Sequence, residues 1–88
     1  MTKMIDVLCL GEALGEFNQD AEDGRFSLNF GGDTSNVAIA AARAGAQAGY
    51  VSLIGDDVFG DGLMALWAQE GVDTRGVFRR SDAPTGVY

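Results

Sequence analysis

The segment Gly31-Gly32-Asp33-Thr34-Ser35-Asn36 holds the residues best suited to binding chemistry. Its two glycines close a run in which polar and apolar residues alternate, and an alanine-rich stretch follows. A glycine pair at a strand-to-helix junction leaves the backbone open to another molecule, because no Cβ intervenes. The helix start beyond it offers unpaired N–H groups and a positive dipole end. Asn36, within one turn of that start, adds a carboxamide that donates and accepts. Together these groups suit a hydroxyl-rich molecule or an anion. The competing reading is conformational: a tight turn that needs positive φ, with Asn36 exposed on the first helical turn.

Other chemistry-bearing residues are weighed the same way. Glu12 directly follows an apolar strand and could face the same cleft, whereas Glu16 is expected in solvent. Asp56, Asp57 and Asp61 do not have calcium-loop spacing and read as carboxylates complementing a helix start. Arg79 and Arg80 are adjacent, so in a strand they face opposite sides; one is expected in solvent, and the other could reach an anion. Tyr88 carries an amphipathic ring that could stack on or hydrogen-bond with a sugar, or simply sit on a sheet face. Phe59 and Trp67 read as core. Gly11 to Gly15 spells Gly-x-x-x-Gly, which is neither the dinucleotide fingerprint nor a P-loop.

Composition narrows the field further. The chain has 88 residues, a formal net charge of −7, 47% hydrophobic residues and no His. That length allows one small domain at most. The acidic balance argues against nucleic acid and against anionic membranes, and the missing His excludes imidazole chemistry within the chain. Cys9 is the only cysteine and reads as a buried free thiol. The opening residues do not form a signal peptide, and no run reaches the length of a membrane span, so a cytoplasmic protein is expected.

The elements that must carry these residues follow from patterning. Residues 4–10 read as a strand buried on both faces, implying a parallel sheet flanked by helices. Residues 14–17 and 25–30 read as a hairpin-like pair standing away from the main sheet, joined by a polar turn over residues 18–24. In the second of these strands Phe26, Leu28 and Phe30 share one face. A helix is expected over residues 34–44, with Asp33, Thr34 or Ser35 as N-cap and Gly45 closing it. A strand over residues 50–54, a helix from 58 to 70 stopped by Gly71, a strand over residues 76–80 and a final strand from 85 complete the order. Phe59, Leu63, Leu66 and Trp67 form the apolar stripe of the second helix. Strands alternating with helices point to an α/β sheet with right-handed crossovers and an appended hairpin. Because the last strand begins only at residue 85, the chain is expected to be the first part of a larger domain.

The sequence resembles the N-terminal part of the ribokinase-like (PfkB) carbohydrate kinases. The resemblance is carried by Gly31-Gly32-Asp-Thr-Ser-Asn36-Val-Ala38 with Gly45 and Gly55 at family-like spacing. It is supported by residues 7–12, Ile54-Gly-Asp-Asp-Val-Phe-Gly60, residues 70–73 and Thr85-Gly86. Thr34 departs from the pattern, since many members place a small Gly, Ala or Pro there. The Gly-Gly-Asp-Thr-x-Asn form, with Gly-Glu-Ala-Leu after the first strand, looks most like the 2-keto-3-deoxygluconate kinase branch. The resemblance implies a Rossmann-like parallel-sheet sandwich with a small β-lid, in which residues 1–88 are the N-terminal part of one domain. Residues 13–30 and 85–88 would belong to the lid. It implies transfer of the ATP γ-phosphoryl group to a sugar hydroxyl with Mg2+. Gly31, Gly32, Asn36 and Tyr88 would bind the sugar, with Asp33 and Glu12 as further candidates. The catalytic base, the ATP site and any metal ligand would lie outside this chain, so these residues alone are expected to be inactive. A homodimer or higher oligomer through the lid is a further implication. Fructokinase and ribokinase are the alternatives within the family; a non-catalytic sugar-binding module or a plain structural fragment are the alternatives outside it.

Overall fold

The structure, a computed structural model, describes residues 4–19 and 24–88. The polar turn expected over residues 18–24 lies largely outside the described residues. Two three-stranded sheets form. The first contains β1 (Val7–Leu10), β4 (Ala48–Gly55) and β5 (Asp73–Arg80), all parallel, in the order β1-β4-β5. The second contains β2 (Leu14–Gln19), β3 (Phe26–Gly31) and β6 (Gly86–Val87) in the order β3-β2-β6, with β2 antiparallel to β3 and parallel to β6. Two helices, α1 (Asp33–Arg43) and α2 (Val58–Glu70), connect the parallel strands. The expected α/β architecture with a separate small sheet is therefore present.

Both helices lie on one face of the parallel sheet. Two connections that advance in the same direction with the same hand must do so. Cys9, Tyr50 and Ile54 point into that face and join Ala38 of α1 and Leu63 and Trp67 of α2 in the buried core. Alternation sends Leu8, Leu10, Leu53 and Phe78 to the opposite face, where Leu10 is 71% and Phe78 61% exposed. The expectation that β1 is covered on both faces is thus corrected: among the described residues it is covered on one. Cys9 is the buried free thiol anticipated from sequence.

The helix ends are set by local chemistry. α1 closes with Gly45 at φ 96°; the Gly45 N–H bonds the Ala42 carbonyl and the Ala46 N–H bonds the Ala41 carbonyl, at 3.0 Å each. Gly71 at φ 75° stops α2. Asp57 caps the start of α2 by accepting from the Gly60 N–H at 2.8 Å. The start of α1 differs from expectation. Its cap position is Gly32, with no side-chain cap bond, rather than Asp33, Thr34 or Ser35. The hydroxyls of Thr34 and Ser35 are spent instead on Tyr50 and Trp67.

The small sheet is two-faced. Its register puts Gly15, Phe17, Leu28 and Phe30 on one side, and Leu14, Glu16, Asn29 and Gly31 on the other. The apolar side rests on α2: Phe17 meets Phe59 edge-to-face with ring centroids 5.9 Å apart. Phe30 packs against the core and occupies the space where Gly62 lacks a side chain. The polar side is left facing the start of α1.

Candidate functional site

Three chain segments converge where the small sheet faces the first turn of α1. Gly32 adopts φ 110° and ψ 127°, and a Cβ there would stand 2.5 Å from the Glu12 carbonyl oxygen. A left-handed residue pressed against a backbone carbonyl has to be glycine. One position earlier, the Glu16 carboxylate occupies the space that a Gly31 side chain would need. The paired glycines thus serve two ends: Gly32 turns the chain into the helix, and Gly31 makes room for a carboxylate.

An open cleft of about 410 Å³ results. Glu12 lines it from the β1–β2 connection, Leu14 and Glu16 from β2, Gly32, Asp33 and Thr34 from the start of α1, and Tyr88 from the end of β6. The Asn36 N–H makes the first intrahelical bond, to the Gly32 carbonyl at 3.0 Å, so the amides of residues 33–35 precede the ladder. Tyr88 is held by its backbone: its N–H bonds the Gly15 carbonyl at 2.8 Å and its carbonyl accepts from the Phe17 N–H at 3.0 Å. Its side chain is 86% exposed. The cleft therefore offers carboxylate acceptors, backbone donors, a hydroxyl and a phenol, an assortment matched to a polyol.

Of the residues singled out in the sequence, Gly32, Asp33, Glu12 and Tyr88 line this cleft. Gly31 sits behind Glu16, its backbone buried. Asn36 lies on the adjoining surface of the same helical turn, lining a separate hollow with Phe30, Ile39 and Leu66. Glu16 was expected in solvent and instead is half-buried on the cleft wall. The signal for it was the parity of β2: Glu16 alternates with Gly15 and Phe17, so packing that side toward α2 turns Glu16 toward the glycines. Neither arginine of the 79–80 pair reaches the cleft. Arg79 donates to the Gly55 carbonyl at 3.2 Å and pairs with Asp61 at 2.7 Å and Asp56 at 3.4 Å. Arg80 pairs with Asp82 at 2.5 Å. These pairings, with the cap made by Asp57, account for the acidic cluster at the start of α2.

The profile described as pfkB family carbohydrate kinase matches residues 3–88. The chain belongs to the pfkB family. Among curated relatives it is 34% identical over 89 residues to 2-dehydro-3-deoxygluconokinase of Bacillus subtilis (strain 168), covering 94% of this chain and 28% of that protein. It is 39% identical over 62 residues to ribokinase of Haemophilus influenzae, covering 70% and 20% respectively. Among solved structures, fructokinase with bound ATP from Xylella fastidiosa superposes with a TM-score of 0.88 at 40% identity, covering 92% of this chain and 25% of that one. The chain spans 18–28% of the length of the curated relatives it matches. The fold of this pfkB segment is accordingly ribokinase-like. Among its described residues no group of three His, Cys, Asp or Glu side chains gathers to hold a metal ion, and the sequence has no phosphate-cradling glycine-lysine loop.

Proposed function

We propose that this chain forms the acceptor side of an ATP-dependent carbohydrate kinase, holding the sugar whose hydroxyl receives the phosphoryl group. The observation that carries the reading is the cleft itself: Glu16 over Gly31, Gly32 against the Glu12 carbonyl, and Tyr88 closing from β6. Phosphoryl transfer depends on an aligned acceptor and exclusion of water, which competes as acceptor. The cleft's carboxylates accept hydrogen bonds from sugar hydroxyls, and the amides at the start of α1 donate to sugar oxygens. A ring or open-chain sugar is thereby fixed by several hydroxyls at once. Gly31, Gly32, Asn36 and Tyr88 are the proposed sugar-binding residues, joined by Asp33, Glu12 and Glu16. Asn36, three residues from Asp33 on the helix surface, lines the neighbouring hollow and is included on the strength of the family resemblance. ATP, Mg2+ and the catalytic base belong to parts of the kinase outside these residues, and the small sheet, with β6 added to it, is the lid. A cytoplasmic setting and a dimer formed through the lid accompany this reading.

For the substrate, 2-keto-3-deoxygluconate is favoured by the Gly-Gly-Asp-Thr-x-Asn form and by relatives with that activity in their names. A second reading, a neutral ketose or pentose, is favoured by the lining of the cleft. It carries the carboxylates of Glu12, Glu16 and Asp33, and its described residues include no basic side chain. Like charges repel an anionic substrate unless a cation is supplied from elsewhere in the kinase. The test is a phosphorylation assay of the complete kinase containing this chain, with ATP and a panel of D-fructose, D-ribose and 2-keto-3-deoxygluconate. Turnover of one of these supports the proposal and selects the reading. Sugar binding with no ATP-dependent turnover of any sugar would favour a non-catalytic module.

A further inference from the structure

Thr34, in the first turn of α1, is held from beneath by the core. Its Oγ1 lies 2.8 Å from the Tyr50 hydroxyl. Tyr50 sits on the central strand β4, fully buried, with its ring centroid 5.0 Å from that of Trp67. Burial pushes the Tyr50 phenol above its ordinary value, while hydrogen bonding to Thr34 and Ser52 opposes the shift. The phenol is therefore a neutral, immobile partner. The next residue is moored in the same way: Trp67 Nε1 donates to Ser35 Oγ at 2.9 Å, both side chains being buried. Consecutive residues of the first turn of α1 are thus tied to two aromatic rings that pack on each other at a 52° tilt. Gly11, at the end of β1, completes the arrangement, because a Cβ there would collide with the Thr34 side chain.

Thr34 also lines the cleft. A hydroxyl has one proton and two acceptor sites, and Tyr50 uses only one of these capacities. We infer that Thr34 contacts the sugar through its remaining hydrogen-bonding capacity, and that Tyr50 is the positioning residue that fixes it there. The inference rests on the kinase reading for the nature of the ligand, and on the hydrogen bond and burial for the geometry. Among side chains that are carboxylates, Thr34 supplies an uncharged hydroxyl oxygen with capacity left for a sugar hydroxyl. Its rotamer is set beforehand by a rigid core residue, so little ordering is needed on binding.

The experiment is calorimetric titration of D-fructose, D-ribose and 2-keto-3-deoxygluconate into the complete kinase and its variants, with steady-state kinetics alongside. Thr34→Val removes the hydroxyl at nearly constant volume, and Tyr50→Phe removes only the phenolic oxygen. Each is expected to raise the sugar Kd and KM roughly three- to tenfold, leaving the KM for ATP within about twofold. The double variant is expected to lose no more than the worse single one, because both delete one interaction. Thr34→Ser is expected to restore tight binding. An unchanged sugar Kd in folded Thr34→Val overturns the inference, as does a double variant whose losses multiply. A wild-type protein that binds sugar without turnover overturns the kinase reading but leaves this inference measurable through Kd.

Discussion

At the residue scale, the cleft is organised by what glycine permits next to carboxylates. Gly31 has no side chain because Glu16 fills that space, so Gly31→Ala is expected to displace the carboxylate without unfolding the helix start. Glu16→Gln keeps the shape and removes the charge. Charge-assisted hydrogen bonds contribute roughly 1.5–3 kcal/mol, so the sugar KM should rise about ten- to a hundredfold, with the KM for ATP unchanged. Asn36→Ala should raise the sugar KM by one or two lost hydrogen bonds, about 1–3 kcal/mol. An unchanged KM would confine the site to the cleft lined by Asp33 and Tyr88. Gly32→Val should impair sugar binding more than ATP binding, because a branched Cβ would meet the Glu12 carbonyl at the cleft edge. Equal loss of both would indicate misfolding. That Gly32, Glu12 and Tyr88 line the cleft was legible from type and place in the chain, and that Asp33 does followed from the family resemblance. Glu16 was not, because its side is decided by the edge-to-face contact of Phe17 with Phe59, between elements far apart in sequence.

At the element scale, Asp57 joins α2 to the entry of β6 in the small sheet. One carboxylate oxygen accepts from the Gly60 N–H and the Thr85 hydroxyl, and the other from the Thr85 N–H, each at 2.8 Å. Thr85 in turn accepts from the Gly55 N–H at 2.8 Å. Thus the end of β4, the start of α2 and the entry to β6 meet on one side chain. Hydrogen bonds from the Thr85 and Gly60 backbone hold the Asp57 carboxyl below its usual range. A depressed folded-state pKa adds stability above the unfolded value, about 3.9, and that contribution fades as pH falls through the folded value. Asp57→Asn should therefore lower the urea midpoint at pH 7, and the gap to wild type should close as pH drops below about 4. Hydrogen exchange at Thr85 should quicken in the variant; unaltered protection there would show that β6 is held by its pairing with β2 alone. Among the described residues sequence patterning revealed every helix and strand, with α2 at its expected bounds and the other elements displaced at one end or both. The N-cap of α1 was misread because Thr34 and Ser35 look like capping residues, whereas buried Tyr50 and Trp67 claim their hydroxyls. Local chemistry cannot reveal a partner that arrives from a distant strand or helix.

At the scale of the whole molecule, these residues form an asymmetric body. One face of the parallel sheet is packed by α1 and α2, tied together where Arg43 donates to Glu70 at 2.8 Å. The other presents Leu8, Leu10, Leu53 and Phe78. A contiguous apolar face of this kind is seldom left open in a stable monomer. Residues 1–88 expressed alone should bind a hydrophobic dye and self-associate, and a Leu10→Glu, Leu53→Glu double variant should do both less. A monomer that ignores the dye would show the face to be tolerated in water. Such packing was only half legible, because apolar alternation marks a buried strand without saying which chain segment covers each side. The central claim is that the corner between Gly32, Glu16 and Tyr88 holds the phosphoryl acceptor. Its most direct test is the steady-state kinetics of Glu16→Gln in the complete kinase, with sugar and ATP varied separately. A sugar KM raised at least tenfold with an unaltered KM for ATP is the predicted result; identical sugar KM values for variant and wild type would contradict it.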